Sequence, residues 1–243
     1  MKVSIIVPAH NEEENLPVLM KRLMPIAQKI GDSEILLVDD HSDDSTPRLC
    51  DEFEKKYMFV RALHRKTGER GMGFTLKYGT AAAKGQIIVW TMADLSDDPN
   101  VILKLVERID SGADMVFGSR YMKGGTSGDL SPFKRFVSWG FTFASMLFVG
   151  IRVHDTTNAF RAFKKEVFEK VQPQYGDFGI SPEFALKAHI AGYKLEEVPA
   201  SYATRTKGVA QFKMLKMAIR YFGIFLAAIG WRIFGLRGGK TEA

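Results

Sequence analysis

Three carboxylates stand within five positions in the segment TMADLSDDPN, residues 91–100. They belong to Asp94, Asp97 and Asp98, and they follow the apolar run QIIVW. Carboxylate oxygens at the end of a buried strand suit a hard divalent cation such as Mg²⁺ or Mn²⁺. Met92, two positions before Asp94, is a poor ligand for such a cation. The segment is therefore either a metal site that lacks one ligand or a polar turn.

Four turn segments each follow a β-rich run: AHNEEEN (9–15), DDHSDD (39–44), ADLSDD (93–98) and GSRY (118–121). Because ligands bind beyond the carboxyl ends of strands in a parallel sheet, we expect these segments to form one rim around a site. Turns from strand to helix also favour Asp for capping. We assign Asp43 and Asp44 to that role, and Asp98 to the N-cap of a helix that begins at Pro99.

The elements that must position these segments alternate in type along the first half of the chain. Hydrophobic periodicity predicts strands over 3–7, 34–38, 59–63, 87–92 and 114–117, and helices over 12–30, 45–56, 71–84 and 99–109. Such alternation predicts an α/β fold, a mostly parallel sheet with helices on both faces. The chain has 243 residues, 46% of them hydrophobic, which is enough for one sizeable core. Cys50, the single cysteine, is expected to be a small buried side chain.

Charge divides the chain unevenly. Residues 1–132 hold 17 basic and 20 acidic side chains, whereas residues 133–243 hold 17 and 8. The second half therefore requires an anionic partner, and nucleic acid, a phosphorylated ligand and an anionic membrane surface all qualify on charge alone. A nucleic-acid partner is disfavoured, because the positive charge accompanies apolar segments and the first half is acidic.

Two apolar stretches interrupt the basic half. Residues 136–151 carry no charge over 16 positions, fewer than the roughly 20 that a membrane span needs. Residues 221–231 are uncharged and have basic residues on both sides. We predict that residues 1–211 form the main domain, including an interface helix near 133–151, and that residues 212–243 form an amphipathic segment in the headgroup region of a membrane. Packing in the core or against a partner is the alternative.

Five motifs in this order resemble the successive motifs of family 2 glycosyltransferases: SIIVPAHNEEENL (4–16), LLVDDHSDDST (36–46), ADLSDDP (93–99), GSRY (118–121) and DTTNAFRAFKKEV (155–167). Within that family they are most similar to the dolichol-phosphate mannose synthase group. The resemblance implies a Rossmann-like GT-A fold and transfer of a sugar from a nucleotide donor to a polyprenyl phosphate.

The resemblance implies that the donor nucleotide binds to Pro8, Ala9, Glu12, Asp39 and Asp40, with Asp94 near the diphosphate. It also places an Asp-x-Asp pair and a further polar residue at positions 92, 94 and 96, so the first carboxylate is absent here. In an extended chain these three positions face the same side. We therefore expect Mg²⁺ or Mn²⁺ to bind Asp94 and Ser96, with Asp97 as the substitute carboxylate.

The resemblance places the acceptor phosphate at Arg120, Lys134 and Ser138, and Arg205 near the donor diphosphate. Asp94, Arg120 and Arg205 are thus the expected catalytic residues. Arg135 and Lys207, which is near Arg205, could equally be solvent-exposed charges without a binding role. Arg161, which stands among aromatic residues, is expected to be a structural member of a buried ion pair. Asp155 is either its partner or a residue that orients substrate.

The sequence thus predicts inverting transfer of a hexose, with mannose from GDP-mannose favoured on resemblance, to a polyprenyl phosphate. No leader is predicted at the N-terminus, because Met1 and Lys2 lead directly into a strand, so the expected place is the cytosolic face of a membrane. Two alternatives stay open. One is a transferase that uses a UDP-sugar and another lipid or glycan acceptor, and the other is an inactive, membrane-bound partner subunit, which Met92 favours.

Overall fold

The computed structural model describes residues 2–128, 130–203 and 214–235 of the chain. The strands are β1 (Val3–Ala9), β2 (Ser33–Asp40), β3 (Val60–Arg65), β4 (Ile87–Trp90), β5 (Met115–Ser119), β6 (Arg161–Lys164) and β7 (Leu195–Pro199). The helices are α1 (Leu16–Ile30), α2 (Thr46–Lys56), α3 (Met72–Ala82), α4 (Val101–Asp110), α5 (Pro132–Phe148), α6 (Lys165–Val171), α7 (Ile180–Ile190) and α8 (Met214–Phe234). All five predicted strands and all four predicted helices are present, with shifted ends.

Within the described ranges the strands form a single sheet in the order β3-β2-β1-β4-β6-β5-β7. Pairing is parallel except at β6, which runs antiparallel to both β4 and β5. The prediction of a mostly parallel sheet is therefore confirmed. The sequence did not predict β6, because its four residues, RAFK, are too few to show a period.

Helices cover both faces of the sheet, as predicted. One core cluster packs α1, α2 and α4 against the sheet, and a second packs α3 and α5 to α8 against the other face. Cys50 of α2 is fully buried in the first cluster, and burial, with nearby Asp39, raises the pKa of its thiol to about 12. The thiol is protonated at neutral pH and shielded from reagents, so the prediction for Cys50 is confirmed.

Helix α8 differs from the amphipathic helix that the sequence predicts. Met217, Tyr221, Ile224 and Ala228 recur at helical spacing and are buried in the second core cluster. The opposite side exposes Leu215, Ile219, Phe222 and Leu226, which are also apolar. By length and composition the helix Leu215–Phe234 is the one candidate membrane span among the described residues.

Helices α5 and α8 together present a set of exposed apolar side chains, which we call the α5–α8 apolar face. Phe141 packs against Tyr221 and Phe148 against Phe225, so the two helices contact each other along their length. The apolar face comprises Phe133, Phe136, Trp139, Phe143, Leu147 and Phe148 of α5 and Leu215, Ile219, Phe222, Leu226, Ile233 and Phe234 of α8. An apolar patch of this kind marks an interaction surface.

Candidate active site

The carboxyl ends of the parallel strands meet at one edge of the sheet, where the four turn segments lie. β1 pairs in parallel with β2 and β4, and β5 points the same way as β4 because each is antiparallel to β6. The register places Ala9 beside Asp39 and Pro8 beside Val38. The expected rim of a site is therefore present, and its first two segments are neighbours.

The turns after β1 and β2 are bonded to each other. Asn11 donates its backbone N–H to Ser42 Oγ at 3.0 Å and accepts the N–H of Asp43 on Oδ1 at 2.8 Å. Asp44 accepts the N–H of Glu13 at 3.1 Å and the N–H of Thr46, in the first turn of α2, at 2.9 Å. The capping role predicted for Asp44 is confirmed, and several of the acids in these motifs serve to fix the turns.

The two candidate donor-binding aspartates at the end of β2 have different surroundings. Asp40 is 3% exposed, and it accepts Nη1 of Arg65 at 2.5 Å and the N–H of Gly71 at 2.9 Å. Asp39 has only longer contacts, 3.3 Å to the N–H of Ser42 and 3.3 Å to Nδ1 of His64. The Asp40 carboxylate therefore holds the loop that follows β3, whereas the hydrogen bonds of the Asp39 carboxylate are longer and weaker.

Glu12, the third candidate donor-binding acid, is buried behind the same rim. Its backbone N–H donates to Thr46 Oγ1 at 2.8 Å, and its carboxylate accepts Nδ2 of Asn15 at 2.6 Å. Helix α1 begins at Leu16, four residues later than the periodicity predicts, because residues 12–15 form the turn that these bonds fix. Glu12 thus contributes to the shape of the nucleotide side.

Two residues that the sequence did not single out, His10 and Arg70, join the mouth of this region. His10 Nδ1 bonds to the carbonyl of Asp40 at 2.8 Å, and Nη1 of Arg70 approaches His10 Nε2 at 3.0 Å. Because a carbonyl only accepts, Nδ1 carries the proton and Nε2 accepts from Arg70. The sequence did contain a signal for Arg70, because it is a basic residue in the loop after β3. The carboxyl end of β3 lies at the same edge of the sheet as the ends of β1 and β2.

The acidic turn after β4 is not extended, which corrects one expectation. Strand β4 ends at Trp90, and the Asp94 carboxylate accepts the N–H of Ser96 at 3.1 Å, while Leu95 has a φ of 63°. Asp94 and Ser96 therefore belong to a tight turn, not to one side of a strand. The turn arises because a carboxylate can bond the backbone two residues later.

Asp97 is buried in this turn, and its carboxylate accepts the N–H of Met92 at 3.4 Å. Burial, and next the charge of Asp94, raise its pKa to about 7, while the Met92 N–H and Arg120 act in the other direction. No group of three or more His, Cys, Asp or Glu is arranged for a metal within the described residues. Two adjacent carboxylates still fit Mg²⁺ or Mn²⁺, which are often held by one or two carboxylates and completed by substrate phosphates.

Asp98 is not the N-cap of the helix, so that prediction is wrong, although its side chain fixes the turn before the helix. It is exposed, and its side chain accepts the backbone N–H of Asn100 at 3.0 Å and the Asn100 side-chain amide at 2.9 Å. Helix α4 begins at Val101 with Asn100 as its N-cap, so Asp98 fixes the turn just before the helix.

Arg120 does not present an unpaired charge. Its Nε and Nη2 bind the Asp155 carboxylate at 2.6 and 2.9 Å, and Nη2 also donates to Thr157 Oγ1 at 2.9 Å. Asp155 is fully buried, and although burial opposes its ionisation, the Arg120 cation and its hydrogen bonds lower the pKa of the carboxyl. Arg120 is therefore held in a fixed direction by a bidentate pair.

Arg161 does not pair with Asp155, so the expected ion pair is wrong, although a structural role is present. Arg161 is fully buried, and it donates to the carbonyls of Ser181, at 2.9 Å, Thr156 and Asn158. Its guanidinium also lies 4.8 Å from the ring centre of Phe117. Burial lowers its pKa to about 9, so it remains a cation at neutral pH. Backbone carbonyls and an aromatic face take the place of a carboxylate.

The remaining candidate acceptor residues lie on α5. Ser138 is buried and joined to Tyr121, the neighbour of Arg120, by a hydrogen bond between their hydroxyl groups. Lys134 precedes Ser138 by one turn on the same side of the helix. The structure therefore brings the start of α5 to the Arg120 segment, whereas Arg205 and Lys207 lie outside the described residues.

Glu197 of β7 is a further contributor that the sequence did not reveal. Its Oε1 accepts the N–H groups of His154 and Asp155 at 2.8 and 3.1 Å, and Oε2 bonds Nδ1 of His154 at 2.7 Å. The loop that carries Asp155 is thus anchored to the edge of the sheet. No local motif could have signalled this contact, because 42 positions separate Asp155 from Glu197.

The sequence matches the model of glycosyl transferase family 2 over residues 4–172. It is 35% identical over 215 residues to a dolichol-phosphate mannosyltransferase of Pyrococcus furiosus, covering 88% of this chain and 60% of that protein. It is 31% identical over 234 residues to a polyprenol monophosphomannose synthase of Mycolicibacterium smegmatis, covering 89% and 86%. The chain thus spans less than two thirds of the archaeal relative.

Solved structures of glucosyl-3-phosphoglycerate synthase from Mycobacterium tuberculosis share the fold. A complex with Mn²⁺, UDP and phosphoglyceric acid superimposes with a TM-score of 0.75 at 18% identity, covering 94% of this chain and 78% of that one. A complex with Mg²⁺ and UDP has a TM-score of 0.74 at 17% identity, covering 94% and 79%. At such identities the likeness establishes the GT-A-like fold and nothing finer.

Proposed function

Since this chain belongs to glycosyl transferase family 2 and is a glycosyltransferase, we propose that it transfers mannose from GDP-mannose to a polyprenyl phosphate. The names of its two relatives support the sugar and the acceptor class. The preference for a GDP donor rests on the resemblance of the sequence motifs. Pro8, Ala9, Glu12 and Asp39 would line the nucleotide side, and Asp40 would keep the loop after β3 in place.

The observation that carries the proposal is the location of Lys134 and Ser138. They lie in the first two turns of α5, beside the segment of Arg120 on one side and the α5–α8 apolar face on the other. A phosphate with a long apolar chain matches that junction, because the phosphate requires cations and hydroxyl groups while the chain requires an apolar surface. A small soluble acceptor would make no use of the apolar face.

Asp94 and Asp97 would hold Mg²⁺ or Mn²⁺, with Ser96 in the same turn. A bound divalent cation supplies positive charge to offset the charge that develops on the leaving diphosphate. Both carboxylates lie on the turn after β4, and Asp94 is the more accessible of the two. Met92 would leave the metal to be completed by donor oxygens.

The protein's own part in the reaction would be positioning and charge stabilisation. A phosphate monoester is already ionised at neutral pH, so the attacking oxygen needs no general base. The oxygen of the lipid phosphate would form its bond to the anomeric carbon as the bond to the diphosphate oxygen breaks, and the configuration would invert. Arg120, fixed by Asp155, would face the negative charge of the reacting groups, and Arg205 is proposed for the diphosphate.

We place the reaction at the cytosolic face of a membrane, with the α5–α8 apolar face as the contact. The division into a main domain, residues 1–211, and a membrane-associating segment, residues 212–243, remains part of the proposal. Removing the segment would not be a clean test, because the inner side of α8 contributes Tyr221 and Ile224 to the core. Substitutions on the outer side of α8 are therefore preferable.

The decisive experiment supplies purified protein with polyprenyl phosphate, Mg²⁺ or Mn²⁺ and a panel of labelled GDP- and UDP-sugars. We expect label from GDP-mannose to enter the organic phase in a metal-dependent manner, with inverted anomeric configuration. Retained configuration would contradict the single displacement. Label from another sugar would contradict the proposed donor.

A UDP-sugar is the second candidate donor, because the fold neighbours were crystallised with UDP. Transfer of label from a UDP-sugar would favour this donor. Transfer in the absence of polyprenyl phosphate would favour an acceptor that is not a lipid phosphate. The absence of a carboxylate at Met92 keeps the inactive partner subunit as a third candidate. Donor binding without turnover over the whole panel would favour that third candidate.

A further inference from the structure

A hydrogen bond between Tyr121 and Ser138 has no part in the mechanism above, although it joins the two walls of the acceptor region. Tyr121 lies just after β5, and Ser138 lies in the second turn of α5. The two hydroxyl oxygens are in direct contact. It is thus a side-chain tie from the Arg120 segment to the helix that carries the apolar face.

The direction of this hydrogen bond follows from the proton count. Ser138 Oγ also donates to the carbonyl of Arg135 at 3.2 Å, and a hydroxyl has a single proton to donate. Ser138 Oγ therefore accepts from Tyr121, whose phenol is the donor. Burial, first of all, raises the pKa of Tyr121, so its proton is retained at neutral pH.

The consequence concerns what Ser138 can offer to an anion. In the structure its proton is directed into its own helix, at Arg135, and this common pattern for Ser in helices leaves nothing for a ligand. Rotation about the Cβ–Oγ bond can turn this proton toward a bound phosphate while Oγ keeps its position. The phenol of Tyr121 holds that oxygen, and a donor behind a donating hydroxyl also strengthens the outward hydrogen bond.

The ring of Tyr121 is itself held in place. The Arg120 guanidinium lies 5.3 Å from the ring centre, and Arg120 is fixed by Asp155. A cavity of about 300 Å³ is lined by Tyr121, Pro132, Arg135, Phe136 and Trp139. Tyr121 thus contacts the Arg120 guanidinium and also lines a mostly apolar cavity.

We propose that Tyr121 is a positioning residue for the lipid-phosphate acceptor, acting by holding the Ser138 hydroxyl so that it can donate to a phosphate oxygen. The inference rests on the proposed function. It adds Ser138 Oγ as a hydrogen-bond donor to the acceptor phosphate and Tyr121 as the residue that holds it. It assigns no contact between Tyr121 and the reacting atoms.

The test is a double-mutant cycle of Tyr121→Phe and Ser138→Ala, which keeps the ring and removes one hydroxyl at a time. We expect Tyr121→Phe to raise the KM for polyprenyl phosphate about threefold to tenfold and to leave the KM for the nucleotide sugar unchanged. In the Ser138→Ala background the same change should have no further effect, because the hydroxyl that it serves is absent. Tyr57→Phe, at the distant end of α2, is the matched control.

Three results would overturn the inference: an unchanged acceptor KM in Tyr121→Phe, an equal loss in both backgrounds, or a parallel rise of the donor KM with a lowered melting temperature. Binding of geranyl phosphate, measured by calorimetry, separates this inference from the proposed function. Wild-type protein that neither binds geranyl phosphate nor transfers sugar to a polyprenyl phosphate refutes both. Wild-type binding that Tyr121→Phe does not weaken refutes the role of Tyr121 alone.

Discussion

The nucleotide side and the acceptor side of the candidate site are built in different ways. On the nucleotide side the turns after β1 and β2 bond to each other over 31 to 34 positions, and their polar residues stand together in two short motifs. The acceptor side joins four elements, β5, the loop of Asp155, α5 and α8, through the pairs Tyr121–Ser138, Arg120–Asp155 and Phe141–Tyr221. The first region thus links two turns on neighbouring strands, whereas the second depends on the packing of four elements. A single substitution should therefore lower the stability of the fold less in the first region than in the second.

The largest expected effect is on the acidic turn between the two regions. Asp94→Ala should lower transfer about a thousandfold or more, because the cation that offsets the diphosphate charge would lose its accessible carboxylate. Initial rates at saturating donor measure this, with the melting temperature unchanged. Asp98→Ala is the matched control, since that exposed acid caps a turn and should leave activity intact. Full activity in Asp94→Ala would contradict the metal site.

The next effect tests whether the acceptor side depends on tertiary packing. Asp155→Asn should lower the free energy of unfolding by about 3–5 kcal/mol at neutral pH, because it leaves Arg120 buried without its counter-ion. Urea unfolding measures the loss, and Asp44→Asn, on the nucleotide side, should cost about 1 kcal/mol.

The comparison of wild type with Asp155→Asn also gives a prediction about pH. The pKa of Asp155 is lowered in the folded state, so its contribution to stability is present above its ordinary value of 3.8. That contribution is lost as the pH falls through the lowered value. The stability difference between wild type and Asp155→Asn should therefore shrink below pH 3.8, and a constant difference would contradict the ion pair.

A moderate effect is expected on the outer side of α8. Replacing Ile219 and Phe222 together by Ser should weaken binding to phospholipid vesicles about tenfold or more, because two large apolar side chains would no longer leave water. Co-sedimentation with vesicles measures it. Ile224→Ser, on the buried side of the same helix, should instead lower the melting temperature. Unchanged vesicle binding in the double variant would assign the contact to α5 or to a partner.

The smallest effect concerns the missing carboxylate. Met92→Asp should raise the affinity for Mn²⁺ about threefold to tenfold, since a third oxygen ligand would join Asp94 and Asp97. Asp97→Asn should weaken it, which the dependence of the rate on free Mn²⁺ can measure. If Asp97→Asn leaves that dependence unchanged, Asp97 is a structural residue and does not replace the missing ligand.

The contrast between the two regions also explains what the sequence could predict. The first five strands, the first four helices and the rim they form follow from periodicity and from the places where strands end. Asp44 and Cys50 were interpreted correctly, because capping and burial depend on nearby residues. The turn at Asp94 was predicted as extended, since alternation cannot reveal that its carboxylate bonds Ser96.

On the acceptor side the sequence indicated the residues but not their partners. Arg120 was predicted to bind phosphate, and Asp155 either to pair with Arg161 or to orient substrate, whereas Asp155 pairs with Arg120. The choice depends on which cation can find backbone carbonyls, and those of Ser181 and Asn158 accept Nη1 and Nη2 of Arg161. Such competition is decided by the fold and has no signature in spacing. For α8 the sequence left packing in the core as the alternative to a membrane contact, and the fold shows that its inner side packs in the core.

The burial of Cys50 has a practical consequence for spectroscopy. The chain contains a single cysteine, and its thiol is buried and protonated at neutral pH. The wild-type protein is therefore already a nearly silent background for maleimide chemistry. A cysteine placed at Phe136 or Phe222 would be the only accessible thiol among the described residues, so an environment-sensitive fluorophore there would measure how deeply each helix enters a bilayer. Depth of insertion could then be read directly, without first removing a native cysteine.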